Sequence, residues 1–338
     1  MAVTIKELSE YCGISVSAVS KALNGYADIG EETKQKVLLA AQKLGYRPNA
    51  MARNLKIGKA FQLGVVYLEE SGSGFTHNYF SPILEAFKNE AERRGYEISF
   101  LSANFTGNYG TKMSYLEHSK YRKVDGICVV CCNYEDPQII ELAQSELPFI
   151  SIDQQVNHQD CVVSENYAGM KQLTDYVIEK GHQLIAYVHG EGGTSQKERI
   201  LGFCKSLEEH GIPLPKEYLV ESKYHNPECA RRAVRSLLKL AKPPKCILVS
   251  DDFAALGAMD AIDEAGLHIP NDISIAGFDG VPILQMLKPK LTTVRQDTER
   301  IGRLAADLLI DKIENIRDRK NSNIYKVSTE LLTGYTVQ

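Results

Sequence analysis

The sequence predicts two fold classes in one chain: an all-α helix-turn-helix head, and behind it an α/β core of two lobes built on parallel sheets. Three observations predict this. Residues 4–45 read as three short helices with a Gly-containing turn between the first two. From Phe61 onward, short β-rich runs alternate with helical segments, the texture of parallel strands covered by helices. Those strands are too many for one modest sheet, and 338 residues suffice for two lobes.

In the head, Thr4 precedes IKELSEYC with Glu7 three residues on, a capping-box pattern. Cys12-Gly13-Ile14-Ser15 is a tight turn, and Ser15 can cap the following VSAVSKAL. Asn24 to Asp28 reads as a loop. EETKQKVLLAAQKLG is amphipathic, with Val37, Leu38, Ala41 and Leu44 expected on one side and Gly45 ending the helix. The stretch RPNAMARNLKIGK, 47–59, carries Arg47, Arg53, Lys56 and Lys59 and no acid. A helix this short is marginal alone, because nucleation costs more than so few hydrogen bonds return. Residues 49–57 are therefore expected to become helical only when a partner supplies contacts.

The core opens with the strand FQLGVVYL, a helix near 80–95, YEISFL, a helix near 111–121, DGICVVC, a helix near 136–145 and LPFISI. A second series has helices at 167–180, 195–210, 227–240 and 252–265, with strands QLIAYVHG, CILVS and ISIAGFD among them. A helix at 298–315 and a last strand near 324–332 close the chain. Ligands of such sheets sit beyond the strand C-terminal ends, here between the lobes.

Charge is divided unevenly. Residues 1–60 hold nine Lys/Arg and five acids, so +4, and the whole chain is −4, leaving −8 on the remainder. A basic head on an acidic body points to a polyanion partner for the head only. Ala18, Val19, Ala22 and Leu23 can pack inward, leaving Val16, Ser17, Ser20 and Lys21 toward the exposed face. A protein-docking module is the alternative, but the charge and the small hydroxyls favour DNA phosphates. The eight cysteines are scattered. GICVVCC reads as small apolar residues of a buried strand rather than a metal cluster, since paired ligand spacing is absent. A reducing cytoplasm is expected. No stretch resembles a signal peptide or is long enough to span a bilayer. GxSxG, Walker A and HExxH signatures are missing, and GEGG at 190–193 lacks the GK[ST] of a phosphate loop.

VTIKELSEYCGISVSAVSKALNG followed by EETKQKVLLAAQKLGYRPNAMARNLKIGK resembles the head of the LacI/GalR family of bacterial transcriptional regulators. The likeness continues through VDGI at 124–127, KGH at 180–182, LVSDDFAALGAMDAIDEAG at 248–266, IPNDISIAGFD at 269–279 and LTTVRQD at 291–297. It implies that Val16, Ser17 and Lys21 take base-reading positions in the major groove. Val16 would touch a thymine methyl, Ser17 would donate or accept, and Lys21 would donate to guanine. It further implies phosphate contacts for Thr4, Ser15, Ser20, Asn24 and Thr33. Residues 47–60 resemble the family's hinge helix, with Leu55 as a minor-groove wedge and Arg53 and Lys56 at nearby phosphates.

The resemblance also implies a sensor core like the periplasmic sugar-binding proteins. Tyr79 and Phe80 in NYF become cleft walls, and Asp153 follows LPFISI at a cleft position. Arg199 in KERILGF matches the family's ligand-binding arginine, and Tyr224 falls near a cleft aromatic. Asp251 stands where many relatives have Asn, Asp279 in GFD matches a hydroxyl acceptor, and Gln296 lies at a crossover. Asp251 or Asp279 could instead cap a helix. His77 and His225 read as ordinary loop residues. Carboxylates accepting from vicinal hydroxyls, an arginine donating back and aromatic faces suit a neutral sugar or small glycoside.

The expected organisation is a head at 1–46, a hinge at 47–60 and a core at 61–338, with lobe 1 at about 61–161 and 293–325 and lobe 2 at about 162–292 and 326–338. The expected protein is a cytoplasmic homodimeric repressor without cofactor, catalytic residue or metal site. It binds a pseudopalindromic double-stranded operator and leaves it on binding a neutral sugar. The resemblance implies a dimer through the core, and the end at TGYTVQ shows no heptad repeat of the kind by which some relatives tetramerise. A sugar-responsive activator or co-repressed regulator shares these features, and a carbohydrate-active enzyme is the alternative of another class. No residue compels a phosphocarrier partner.

Overall fold

The computed structural model describes residues 3–24, 26–46, 59–69, 72–106, 110–318 and 322–338. Arg53, Leu55 and Lys56 of the expected hinge lie outside the described residues. The chain divides into a head, residues 1–60, and a core, residues 61–338, each described by itself.

The head has α1 (Ile5–Cys12), α2 (Val16–Leu23) and α3 (Glu31–Leu44). Thr4 and Glu7 form the capping box on α1, and Gly13 ends it in the left-handed conformation. Ser15 caps α2 by accepting from the Ala18 N–H. Leu8, Cys12, Val19, Ala22, Val37, Ala40 and Ala41 make a small core, with Leu23 and Leu44 at its edge. Leu38 was expected inside but is 47% exposed. Val37, Ala40, Ala41 and Leu44 follow the i, i+3, i+4, i+7 stripe, and Leu38 lies outside it, about 100° round from Val37.

The first sheet of the core has the order β11-β5-β4-β3-β1-β2, all neighbours parallel. Its strands are β1 (Gln62–Tyr67), β2 (Glu97–Leu101), β3 (Gly126–Val130), β4 (Phe149–Ile152), β5 (Asp160–Ser164) and β11 (Ile324–Val327). Helices α4 (Phe80–Arg93) and α11 (Thr298–Ile313) cover one face, and α5 (Tyr115–Arg122) and α6 (Pro137–Gln144) the other. The second sheet runs β12-β10-β9-β8-β6-β7. It contains β6 (Ile185–His189), β7 (Leu219–Glu221), β8 (Cys246–Val249), β9 (Ser274–Asp279), β10 (Thr292–Gln296) and β12 (Thr329–Leu332). α7 (Asn166–Glu179) and α8 (Gly193–Glu209) lie on one side, and α9 (Pro227–Leu238) and α10 (Asp252–Glu264) on the other. With both faces covered, the central strands are continuously apolar rather than alternating.

Several details differ from the sequence expectation. The pair β10–β12 is antiparallel. The run near 324–332 is two strands, one in each sheet. Strands β5, β7 and β10 were not singled out; β7 is three residues long, too short for a periodicity to show. The last residues of the strands at which the chain leaves one sheet for the other are Ser164, Gln296 and Val327, beside lobe bounds expected at about 161, 292 and 325. No helix among the described residues is long and apolar enough to cross a membrane.

Candidate functional site

The strand C-terminal ends of both sheets open onto one cavity of about 600 Å³ within the core, a size suited to a small organic ligand. Lobe 1 contributes Tyr79 and Phe80 at the start of α4, Cys131 to Glu135 after β3, and Asp153 and Gln154 after β4. Lobe 2 contributes the start of α8 with Arg199, the loop residues Tyr224 and His225, Asp279 at the end of β9, and Gln296 at the end of β10.

The polar atoms of this cavity are positioned in advance. The Tyr79 hydroxyl donates to Asp153 Oδ1 at 2.9 Å. Arg199 donates through Nε to Asn166 Oδ1 at 2.7 Å and through Nη1 to the Ser250 carbonyl at 2.9 Å. Its guanidinium lies 3.7 Å from the centre of the Phe278 ring, so its plane is held by bonds and by an aromatic face. Gln296 Nε2 donates to Asp279 Oδ1 at 2.7 Å. The backbone of Asp279 is at φ 118°, and Gly280 follows at φ 72°. A Cβ at Gly280 would meet Arg295 at 2.6 Å, so only glycine allows this turn. The Tyr224 ring rests on Gly190, where a Cβ would lie 2.2 Å from it.

Three cavity atoms are buried without a hydrogen-bond partner among the described residues: Asp279 Oδ2, Gln296 Oε1 and the Tyr224 hydroxyl. Leaving such a group unsatisfied costs about 1–3 kcal/mol, so the cavity favours a ligand that donates to acceptors of this kind. Glu135, Asp153, Glu191 and Asp279 line the cavity against the single guanidinium of Arg199, which disfavours an anionic ligand. Burial raises the Asp153 pKa to about 6, against the opposing pull of Tyr79 and Arg199. Burial also holds Asp279 well above the usual carboxylate range; Arg199 opposes this, and Asp251 and Asp252 add to it.

Seven of the eight sequence-nominated ligand residues line the cavity. Asp251 does not. It is fully buried and caps α10, accepting from the Ala254 N–H at 2.8 Å and from the His225 N–H at 3.1 Å. With the Ser250 hydroxyl also donating to it at 2.8 Å, this side chain accepts three hydrogen bonds within lobe 2. His225, read from sequence as an ordinary loop residue, instead lines the cavity, and His77 packs against it with ring centres 4.0 Å apart. Cys131 and Cys132, assigned to a buried strand, follow β3 and also reach the cavity wall.

In the head, Val16 and Ser17 stand exposed at the start of α2, with Val16 42% exposed. That is the end of a second helix that meets base edges in a helix-turn-helix. Lys21 is ion-paired with Asp28, a bond that reaching a base would break or share. Thr4, Ser15 and Asn24 are exposed, while Ser20 and Thr33 are half-buried. Thr4 and Ser15 spend their hydroxyls on helix N-termini, where the neighbouring N–H groups favour phosphate.

Residues 4–49 match the family of bacterial regulatory proteins, lacI family, and residues 174–337 match a periplasmic binding protein-like domain. The HTH-type transcriptional repressor PurR of Erwinia tasmaniensis is 32% identical over 328 residues, covering 94% of this chain and 93% of that protein. The chain belongs to the LacI family. The PurR repressor of Shigella dysenteriae serotype 1 is 30% identical over 325 residues, again covering 94% of this chain and 93% of the relative. In fold, this LacI-family protein resembles the lac repressor dimer bound to operator and the anti-inducer ONPF, with TM-score 0.81, 24% identity, and 100% and 99% of the two chains covered. It also resembles the transcriptional regulator CelR–cellobiose complex, with TM-score 0.70, 22% identity and 99% of each chain covered. It is a DNA-binding, ligand-responsive transcriptional repressor and not an enzyme.

Proposed function

We propose that this repressor is a cytoplasmic homodimer that leaves a pseudopalindromic operator when a neutral sugar or small glycoside enters the cavity. The observation that carries the ligand class is the two unpaired acceptors, Asp279 Oδ2 and Gln296 Oε1, on side chains hydrogen-bonded to each other, in a cavity also lined by the aromatic residues Phe80 and Tyr224. Vicinal hydroxyls donate to such a pair, Arg199 donates back, and an aromatic face covers the apolar face of a pyranose. The acidic lining supports a ligand without negative charge.

A planar heterocycle is the second reading, supported by the same aromatic residues, since its amino groups donate to the same acceptors and its face stacks on the rings. In the proposed mechanism, Val16, Ser17 and Lys21 read bases, Thr4, Ser15, Ser20, Asn24 and Thr33 hold phosphates, and the segment with Arg53, Leu55 and Lys56 folds into the minor groove. Effector binding changes lobe geometry and with it operator affinity.

The test is in vitro selection of random duplex DNA with the purified protein. A pseudopalindrome with a flexible central step is expected. Release of that duplex is then scored against neutral sugars, glycosides and nucleobases. Release by nucleobases alone replaces the sugar reading. Failure to enrich any duplex removes the proposed mode of operator recognition.

A further inference from the structure

His77 and His225 come from opposite lobes and meet at the cavity. His77 follows the 3-10 turn Gly74–Thr76 in lobe 1 and is 4% exposed. Its Nδ1 accepts from the N–H groups of Tyr79 and Phe80, both at 3.3 Å. Nδ1 being the acceptor, the proton of the neutral ring sits on Nε2. The ring therefore does two things: it satisfies free N–H groups at the start of α4, and it holds the turn that places Tyr79 and Phe80 in the cavity.

His225 in lobe 2 is fixed from behind. Its backbone is left-handed at φ 49°, and its N–H donates to the buried Asp251. Its Nδ1 lies 3.8 Å from Asp251 Oδ1 and its Nε2 4.0 Å from the unpaired Asp279 Oδ2. The two imidazoles meet edge to face, 66° apart in plane, with centroids 4.0 Å apart. The Phe80 ring lies 4.8 Å from that of His77, and the Phe253 ring 6.1 Å from that of His225. A movement that parts the lobes separates these rings and takes Tyr79 and Phe80 away from Tyr224 and Asp279.

We propose that His77 and His225 are a positioning pair that ties lobe closure to effector recognition. This rests on the cavity being the effector site, as proposed above. Neither histidine needs to touch the ligand. Each carries the geometry of its own lobe's ligand residues to the other, so the population of closed protein, and hence apparent effector affinity, depends on their contact. Burial lowers the His77 pKa to about 4 and also lowers that of His225, so both rings are neutral at the contact near pH 7.

The experiment is hydrogen–deuterium exchange by mass spectrometry on the full-length protein, with no DNA and no effector. It thus stands apart from the sugar reading. His77→Asn keeps a side-chain acceptor for the start of α4 and removes the ring. His225→Asn keeps a residue tolerant of the left-handed backbone and removes the other ring. The expected result is reciprocal. His77→Asn speeds exchange in peptides around 222–226, His225→Asn speeds exchange around 77–81, each by roughly threefold or more, and the double variant adds little to either. Acceleration confined to the mutated lobe overturns the proposal, as does acceleration spread evenly over all peptides of either variant.

Discussion

Asp279 illustrates how one residue is given its role by its surroundings. Its backbone is held at positive φ, one carboxylate oxygen is occupied by Gln296, and the other is buried and unpaired in the cavity. Asp279→Ala should abolish effector-dependent release while leaving operator affinity within about twofold; fluorescence anisotropy on a labelled operator checks both. Asp153 is the second case. Its folded pKa, about 6, lies above the ordinary value of 3.8. Keeping it ionised therefore costs folding free energy in full above about pH 6, and the cost fades as pH falls toward 3.8. Asp153→Asn should raise the effector-free melting temperature by about 3 °C at pH 7.5. The gain should shrink at pH 4.5, while effector affinity at neutral pH falls; a difference that grows in acid would contradict the assignment. Asp279, Arg199 and Gln296 were nominated by the resemblance of GFD, KERILGF and VRQD to family motifs. His77 and His225 were illegible, since neither belongs to a periodic pattern and their contact joins two loops.

At the scale of elements, the head was legible because its signals are local. A capping hydroxyl, a glycine after the last turn and an apolar stripe act within a few residues of one another, and the structure has them at Thr4, Ser15, Gly13 and Gly45. The same cap chemistry leaves two readings of Asp251 open in sequence, since a helix cap and a ligand acceptor look alike there; in the structure it caps α10. Asp251→Ala should lower stability by about 2 kcal/mol, because the start of α10, the His225 N–H and the Ser250 hydroxyl lose their acceptor; a urea midpoint with unchanged slope would show it. Leu55 belongs to a different kind of element, a segment expected to fold on a partner. Leu55→Ala should weaken binding to the selected operator by roughly tenfold and binding to random duplex much less; equal loss on both would remove the wedge.

The whole molecule joins a basic DNA-binding head to an acidic core whose lobes share one cavity, and that arrangement makes a ligand-responsive repressor. The lobes are not consecutive domains. The chain crosses between them after Ser164, Gln296 and Val327, so a relative movement of the lobes bends three strands at once. By itself the sequence determined the head, the strand–helix alternation, the sign of charge on each part and most of the cavity's polar residues. The first three follow from local capping, hydrophobic period and composition, which are properties of neighbouring residues, and the cavity residues from the motifs that resemble the family's. Only the tertiary structure decided that Asp251 is buried under the Ser250, Ala254 and His225 bonds, that His225 lines the cavity against His77, and that Asp279, Gln296 and Tyr224 keep buried atoms without a partner. Those facts depend on which loops two sheets bring together and on what each polar atom already bonds, and no spacing along the chain encodes either.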